Sequence, residues 1–301
     1  FNTNLMDLFG NEIDNRKSLK EKFIIEPFSV VNLMERKLSI RNNKWKLLGI
    51  EKEVFRKADL YGLKNRYDGF SEKSIEARNK IENNKEGVSI FSPVLCEILY
   101  NWFCPEGGNI LDPFAGGSVR GIVANKMGFK YTGIELRQEQ VESNREQALS
   151  ILELNNQPQW YCGDSEKELN GFSERFDFIF SCPPYLDLEV YSDLEDDLSN
   201  MELSSFEKKY EKIIQQCFNL LKNKCFTCFV VSEVRDKKHK NKPYLGFVPM
   251  TIKLFEKAGF IYYNEIIIIN NTHNANLRAN KYMNTKKVVR VHQNALVFYK
   301  Q

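Results

Sequence analysis

The chain has 301 residues, of which 42% are hydrophobic and 28% charged, and its formal net charge at pH 7 is +3. This length suits one large α/β domain with an appendage, and the composition is that of a globular protein rather than a disordered or fibrous one. The strongest apolar run, at 266–269, is only long enough for a strand, so we expect neither a membrane span nor a signal peptide. Seven cysteines, an odd number, favour a reducing cytoplasm over a disulfide framework.

The chain divides into two regions of different character. Residues 1–88 are polar and of mixed charge, which predicts a helical or irregular N-terminal extension that ends in a linker at 83–87. Apolar segments of strand and helix length follow one another from residue 89 to residue 301, which predicts the main domain.

Helices and strands alternate through this second region. Helices are predicted at 95–103, 119–127, 138–153, 205–222 and 248–258, and strands at 109–112, 131–134, 159–162, 176–181, 226–234, 260–270 and 288–299. This alternation is typical of an α/β fold with a doubly wound, mostly parallel sheet. The last two strands have no helix between them, so we predict an antiparallel hairpin at the end of the chain.

A glycine-containing turn separates the strand at 109–112 from the next helix. It reads Asp112-Pro-Phe114-Ala-Gly116-Gly117-Ser. Such a turn presents backbone amides at a helix N-terminus, and a ligand can approach closely because the glycines carry no side chains. The Gly-Lys-Ser/Thr of a phosphate loop does not occur here, so we expect a nucleoside ligand.

Two further acids follow the next two strands. Glu135 closes a Gly-Ile-Glu sequence 23 residues after Asp112, where a carboxylate is placed to accept hydrogen bonds from both ribose hydroxyls. Asp164 follows the strand at 159–162 and is placed to accept from an adenine amino group. Acids at three successive strand ends favour a nucleoside that carries positive charge.

The strand at 176–181 ends in Cys182-Pro183-Pro184-Tyr185. Two prolines cannot continue a central strand, so the chain leaves the sheet here in a rigid turn. The carboxyl end of a parallel strand is where open α/β sheets bind ligands, which makes these four residues candidates for catalysis.

These motifs, in this order, resemble those of the S-adenosylmethionine-dependent DNA methyltransferases that modify the exocyclic amino group of adenine (N6) or cytosine (N4). Ser92-Pro93, before the first strand of the domain, resembles the family's extra helix on the cofactor side. The likeness covers about residues 90–300 and is greatest to the DNA-modification methylases of phages and prophages. It implies a Rossmann-like class I methyltransferase with a seven-stranded sheet and an antiparallel last strand, located in the cytoplasm of a bacterium or phage-infected host.

The resemblance also implies the partners and the site residues. S-adenosylmethionine is the expected cofactor and double-stranded DNA the expected substrate, with N6 of adenine preferred. The residues implied in cofactor binding are Asp112 near the methionine end, Glu135 at the ribose, Asp164 at the adenine, and Ser92, Pro93, Phe114, Gly116 and Gly117 along the site. Tyr185 is expected to stack on a flipped base while the carbonyl of Pro183 accepts a hydrogen bond from the target amine.

Cys182 departs from the family pattern, in which Asp, Asn or Ser occupies its position. A neutral thiol is a weak acceptor, so one interpretation makes it a spectator. A second makes it the thiolate nucleophile of a cytosine carbon-5 methyltransferase, with Glu233 holding the base. An RNA methyltransferase and a cofactor-binding, DNA-binding protein without catalysis also remain open.

Basic segments near the C-terminus are candidates for nucleic-acid contact. From Arg235 onward the sequence contains 13 Lys and Arg but three acids, and basic loops are predicted at 237–242 and 270–287. Such an excess suits a polyanion, although a solvated surface has the same composition. Cys225-x-x-Cys228 has no second pair or His cluster beside it, so we predict no metal site.

Overall fold

Helices and strands alternate along the part of the chain that the computed structural model describes, residues 18–51, 53, 90–185, 198, 201–236, 239–270 and 275–301. The helices there are α1 (Leu19–Phe23), α2 (Arg36–Lys46), α3 (Pro93–Phe103), α4 (Val119–Lys126), α5 (Gln138–Ile151), α6 (Ser165–Glu168), α7 (Leu203–Leu220), α8 (Phe247–Ala258) and α9 (Ala275–Met283). The strands are β1 (Val30–Asn32), β2 (Asn109–Asp112), β3 (Lys130–Glu135), β4 (Gln159–Cys162), β5 (Phe176–Ser181), β6 (Leu221–Val231), β7 (Ile261–Ile269) and β8 (His292–Lys300).

The strands form one sheet in the order β1-β7-β8-β6-β5-β2-β3-β4. Strand β8 is antiparallel to both of its neighbours, β6 and β7, and all the other pairs are parallel. The predicted fold class and the antiparallel pairing of the last two strands are therefore confirmed. The prediction that no helix lies between them was wrong, because α9 occupies part of the segment 270–287 that was expected to be a loop. The carboxyl ends of all strands except β8 lie at one edge of the sheet, which we call the carboxyl edge.

The sheet has eight strands where seven were predicted, because β1 comes from the N-terminal region expected to be helical or irregular. Val30–Asn32 pairs in parallel with residues 267–269 of β7, and Val31 is buried while Val30 is exposed. Three residues with one buried side chain are too few to produce a strand pattern in the sequence. The eighth strand could be found only from its pairing.

The N-terminal elements are fastened to α3 by a buried carboxylate. Glu97 accepts hydrogen bonds from Arg41 (Nε, 2.6 Å) and from the indole of Trp45 (2.9 Å). Leu38 and Ile50 are buried in the same apolar cluster as α3. Residues 18–51 thus share a core with the main domain, whereas the predicted linker at 83–87 and the boundary at 88 lie outside the described residues.

The centre of the sheet is apolar on both faces. Phe178 and Phe180 of β5 pack in one buried cluster with α3 and α4, while Phe176 and Ile179 pack in the other with α7 and α8. A strand covered on both faces appears in the sequence as a continuous apolar run, as 176–180 does. Within the described residues, no helix combines the length and apolarity needed to cross a bilayer.

Candidate active site

The candidate active site lies where β2 and β5 meet at the carboxyl edge. From β2 the chain passes to β3 and β4 on one side, then returns to β5 on the other side of β2. The two outgoing turns therefore diverge and leave a crevice between them, which is the usual ligand position in open α/β sheets. The turn after β2 holds the glycines, and the turn after β5 holds Cys182 and Tyr185.

Asp112, the last residue of β2, is hydrogen-bonded both to the glycine turn and to the end of β5, where the second turn begins. Its Oδ1 accepts hydrogen bonds from the Ser181 hydroxyl (2.5 Å) and the Phe114 amide (3.1 Å), and its Oδ2 accepts from Tyr131 (2.8 Å) and Arg120 (2.5 Å). The residue is 0% exposed. Both carboxylate oxygens are engaged by protein donors, so Asp112 holds the site together instead of offering an oxygen to a ligand.

Arg120 is a site residue that the sequence analysis missed. Its guanidinium pairs with Asp112 and also donates to the carbonyls of Phe114 (2.5 Å) and Ala115 (2.7 Å). It lies 4.8 Å from the ring centre of Phe91 and is itself buried. The available signal was a single Arg in an apolar helix segment directly after the glycine turn.

Side chains of β3 and α5 hold the glycine turn in position through hydrogen bonds to Gly116. Gly116 adopts a left-handed φ of 52°, its amide donates to Glu135 Oε2 (3.0 Å), and its carbonyl accepts from Asn144 (2.8 Å). The second oxygen of Glu135 accepts from the amide of Arg137 at 3.1 Å. The predicted glycine turn and ribose acid are therefore in direct contact, and the positive φ explains why glycine occupies position 116.

Phe114 points toward the core. Its ring centre lies 6.2 Å from that of Tyr210 and 6.4 Å from that of Phe229. The side chain is half-buried, so part of it remains accessible at the crevice. Packing against α7 and β6 is its main contact.

Asp164 begins α6 and forms a buried ion pair. Its Oδ1 accepts from the Glu166 amide at 3.1 Å, as an N-cap does, and its Oδ2 accepts from Lys209 at 2.9 Å. Asp164 and Lys209 are both buried. The carboxylate predicted to meet adenine thus already has a cation beside it, a partner 45 residues away that no local pattern indicates.

Ser92 and Pro93 start α3 beside the N-terminal region. The Ser92 hydroxyl accepts from the Leu95 amide (3.3 Å) and donates to Asn42 (3.2 Å), and Pro93 occupies the first turn of the helix. The neighbouring Phe91 contacts Arg120, which in turn holds the glycine turn. The motif therefore positions the helix that supports the site.

Tyr185, in the turn that follows β5, is buried. It is 8% exposed, its ring centre lies 5.8 Å from that of Phe247 in an edge-on arrangement, and its hydroxyl accepts from Gln293 of β8 at 3.0 Å. Pro183 is buried and Pro184 half-buried. The two prolines restrict the backbone of this turn, and the hydrogen bond from Gln293 holds the hydroxyl of the tyrosine ring.

Cys182 lies between the two apolar clusters, with its sulfur 3.9 Å from the Tyr185 hydroxyl. Burial raises the pKa of the thiol to about 11, although Arg120 nearby acts in the opposite direction. The thiol is therefore protonated at neutral pH. Ser181 faces away, toward Asp112, as strand alternation requires.

The carboxylate of Glu233 caps the N-terminus of α8, although the two are separated in sequence. Its Oε2 accepts from the amides of Gly246 and Phe247 (both 3.2 Å), and its Oε1 accepts from that of Val248 (3.0 Å). Three backbone donors at a helix N-terminus satisfy a carboxylate well. This engagement removes the support that the carbon-5 alternative drew from Glu233.

Cys225 and Cys228 lie in β6 and belong to opposite faces of the sheet, because three positions separate them. Burial raises the pKa of both thiols. In the described part of the chain, His, Cys, Asp and Glu side chains form no group that could hold a metal ion.

The described parts of the basic C-terminal segments adjoin strand ends at the carboxyl edge, whereas Lys237, Lys238 and residues 271–274 lie outside the described residues. Arg235 follows β6 and lies 4.1 Å from the ring centre of Tyr244, while Arg290 precedes β8 and bonds to the side chain of Asn294. Helix α9, with exposed Arg278 and Lys281, connects β7 to β8 at the same edge. Sheet topology thus gathers cations that are dispersed in the sequence.

Comparison with known proteins finds no family for this chain, and the solved structures that match it are distant in sequence. No protein-family model matches the chain, and no curated protein matches it. Among solved structures, TrmN from Thermus thermophilus is 16% identical, with a TM-score of 0.46, over 70% of this chain and 49% of that one. The match therefore spans about half the length of TrmN.

Two further solved structures are similar to part of this chain. A SAM-dependent methyltransferase from Agrobacterium tumefaciens is 15% identical over 71% of this chain and 64% of its own, with a TM-score of 0.48. The [4+2]-cyclase SpnF is 13% identical over 69% and 81%, also at 0.48. With TM-scores below 0.5, these likenesses carry no argument about the reaction, which has to come from the site.

Proposed function

We propose that this protein transfers a methyl group from S-adenosylmethionine to an exocyclic amino group of a base flipped out of double-stranded DNA, with N6 of adenine as the preferred target. One observation carries the proposal. The glycine turn with its acid, Glu135, and the Pro-Pro-Tyr turn with its neutral thiol meet at the sheet's switch point, bridged by Asp112 and Ser181.

The residues at the crevice fit this cofactor. A left-handed glycine turn at the start of α4 supports close approach to the backbone, and Glu135 at the end of β3 accepts hydrogen bonds from the ribose hydroxyls. Asp164 lies at the next strand end to meet the adenine amino group, with Lys209 balancing its charge. The half-buried side of Phe114 lines the site between them. When bound, the cofactor supplies an electrophilic methyl group on a positively charged sulfur.

The chain's own residues supply positioning and hydrogen-bond acceptors. An aryl amine is a poor nucleophile because its lone pair is delocalised into the ring, so acceptors that pull on its hydrogens assist transfer. The Pro183 carbonyl, held rigid by two prolines, is proposed as that acceptor, with Tyr185 as the surface on which the base stacks. The new C–N bond forms as the C–S bond breaks, and the amine proton leaves to solvent.

The protonated Cys182 favours amino transfer over carbon-5 chemistry. Carbon-5 transfer requires a thiolate that adds to the pyrimidine ring, and burial stabilises the neutral thiol instead. Glu233, the other residue of that mechanism, is bound to the start of α8. We therefore assign Cys182 a packing role beside Tyr185.

The basic segments on the edge that carries the candidate site support a nucleic acid as the substrate, and the resemblance of the motifs to those of DNA methyltransferases is the reason for proposing DNA. Lys and Arg side chains there can contact phosphates on either side of a flipped nucleotide. Phosphate contacts of this kind weaken steeply with salt, so binding should fall as the salt concentration rises.

The decisive experiment incubates the protein with S-adenosylmethionine labelled in the methyl group and either duplex DNA or RNA of matched sequence. The nucleic acid is then digested to nucleosides and the labelled base identified by mass. N6-methyladenine from DNA is expected, and N4-methylcytosine would keep the amino mechanism. Label on cytosine carbon 5, label only in RNA, or no transfer would each overturn the proposal.

A further inference from the structure

Lys209, in α7, is a buried lysine to which the sequence analysis gave no role. It is 8% exposed, and it is the one lysine that the fold buries among the described residues. The other lysines near it in α7, Lys208 and Lys212, are exposed. A lysine is almost never buried unless its ammonium group is paired, because an isolated charge is costly to remove from water. The partner of Lys209 therefore shows what the residue does.

That partner is Asp164, the acid proposed to meet the adenine amino group. Lys209 Nζ donates to Asp164 Oδ2 at 2.9 Å, and the two side chains are 9% and 6% exposed. The other carboxylate oxygen, Oδ1, accepts from the amide of Glu166 at 3.1 Å. Lys167 also lies 3.9 Å from Oδ2, but its side chain is 68% exposed, so solvent screens its charge. The cation closest to this carboxylate, and the desolvated one, is Lys209.

These contacts leave Asp164 able to bind a ligand. An ionised carboxylate has about four acceptor positions and no donor, and Lys209 and the Glu166 amide occupy two of them. An acceptor-only group at the end of β4 suits the amino group of adenine, which donates. It opposes the oxo group of hypoxanthine, which accepts. The ion pair can therefore distinguish the two bases.

A second ion pair between α6 and α7 provides an internal comparison. Lys212 Nζ donates to Glu166 Oε1 at 2.7 Å, but the side chain of Lys212 is 66% exposed. Lys209 and Lys212 are three residues apart and lie on the same face of α7. An exposed pair contributes little, whereas removing one partner of a buried pair leaves the other charge uncompensated. The two lysines thus hold the same short helix, but only Lys209 contacts the acid of the site.

We propose that Lys209 is a positioning residue that holds Asp164 as an acceptor for the adenine amino group and so makes the site selective for adenine nucleosides. The inference rests on the proposed function, which supplies the cofactor and assigns its adenine to Asp164. Without Lys209, the carboxylate is buried beside no desolvated cation among the described residues. It then turns toward water or takes up a proton, and in either state it no longer selects a donor.

The test is a calorimetric titration of the full chain with S-adenosylhomocysteine and S-inosylhomocysteine, which differ at the base edge that carries the amino group. The wild type should bind the adenine ligand about tenfold to hundredfold more tightly, the usual range for a hydrogen bond to a charged group. Lys209→Met should bring the two affinities within about threefold of each other. Lys209→Arg, which keeps the charge, should retain most of the preference. Lys212→Met is the matched control and should leave the preference unchanged.

The outcomes separate this inference from the proposed function. A wild-type chain that binds neither ligand would overturn the cofactor assignment, and the role of Lys209 with it. Wild-type binding without a preference, or a preference that Lys209→Met retains, would overturn the role of Lys209 alone. So would an equal loss in Lys212→Met, because any loosening of α6 from α7 would then have the same effect.

A second variant keeps the test decisive if Lys209→Met does not fold, which thermal melting of each variant shows. Combining Lys209→Met with Asp164→Asn leaves no unpaired charge at this position. The amide of asparagine both donates and accepts, so this double variant should bind the two ligands about equally. A preference for adenine as large as that of the wild type would contradict the proposal.

Discussion

Replacement of Cys182 by serine separates the two mechanisms that this residue allows. Serine keeps the size of the side chain but cannot act as the nucleophile of carbon-5 chemistry. In the structure the thiol lies 3.9 Å from the Tyr185 hydroxyl, and a serine hydroxyl can make the same kind of contact. We expect Cys182→Ser to transfer methyl groups at a rate within about threefold of the wild type.

The expected magnitude follows from the raised pKa of the thiol. With a pKa of about 11, roughly one Cys182 in three thousand is a thiolate at pH 7.5, against about one in ten for an unperturbed cysteine. The reactive fraction is thus about 300-fold smaller than that of an ordinary cysteine. A nucleophile so rarely ionised is poorly suited to neutral pH.

The assay measures single-turnover methyl transfer from labelled cofactor by the wild type and by Cys182→Ser at several pH values. The wild-type rate should show no rise that follows thiol ionisation between pH 7 and 9. Slow alkylation of Cys182 by iodoacetamide, measured by peptide mass, should accompany this result. A loss of more than about hundredfold in Cys182→Ser, together with 5-methylcytosine as the wild-type product, would refute the reasoning.

Three further predictions concern the residues around the site. Arg120→Met should lower the free energy of unfolding by about 3–5 kcal/mol in urea titrations because it leaves Asp112 buried without its cation, and adding Asp112→Asn should restore part of the loss. Glu233→Gln should cost about 1–2 kcal/mol by weakening the start of α8, and the identity of the methylated base should not change. Stability should be greatest below about pH 8.5 and fall as pH rises toward 11, since the unfolded chain releases the protons of Cys182 and of the other buried thiols, such as Cys96 and Cys217, before the folded chain does. The fall in the urea midpoint between pH 8 and pH 10.5 should be smaller in Cys182→Ser, and an equal fall in both proteins would contradict the raised pKa of Cys182.

Local signals in the sequence were sufficient for most of the elements from α3 to β8 and for the positions of the two turns at the site, but not for β1, α6 and α9. Continuous apolar runs such as 176–180 identify strands buried on both faces, and two prolines after such a run end it. Gly116 occupies a left-handed position that most other residues resist, so its place in the turn was also visible. These are properties of a residue and its immediate neighbours, and the bounds of β2, β4 and β5 match the prediction, whereas β6 begins at 221 and not at 226, and β8 at 292 and not at 288.

Long-range partners decided what each side chain does. The sequence marked Asp112 and Glu233 as acids at strand ends, but Arg120 and the amides of α8 turn them into supports. It also marked Asp164, but not the ion pair that Asp164 makes with Lys209. No periodic pattern connects these partners, because they meet only when the sheet brings distant strand ends together.

The sequence by itself determined the alternating α/β architecture, the glycine turn and the Pro-Pro-Tyr turn, because each depends on hydrophobic periodicity or on the φ preferences of Gly and Pro. The tertiary structure alone decided that β1 joins the sheet and that Glu53 reaches the glycine turn. It also decided that Cys182 is half-buried among apolar side chains, surroundings that keep its thiol neutral. These outcomes depend on burial and on contacts between residues far apart in the chain, and neither is encoded in any short stretch of sequence.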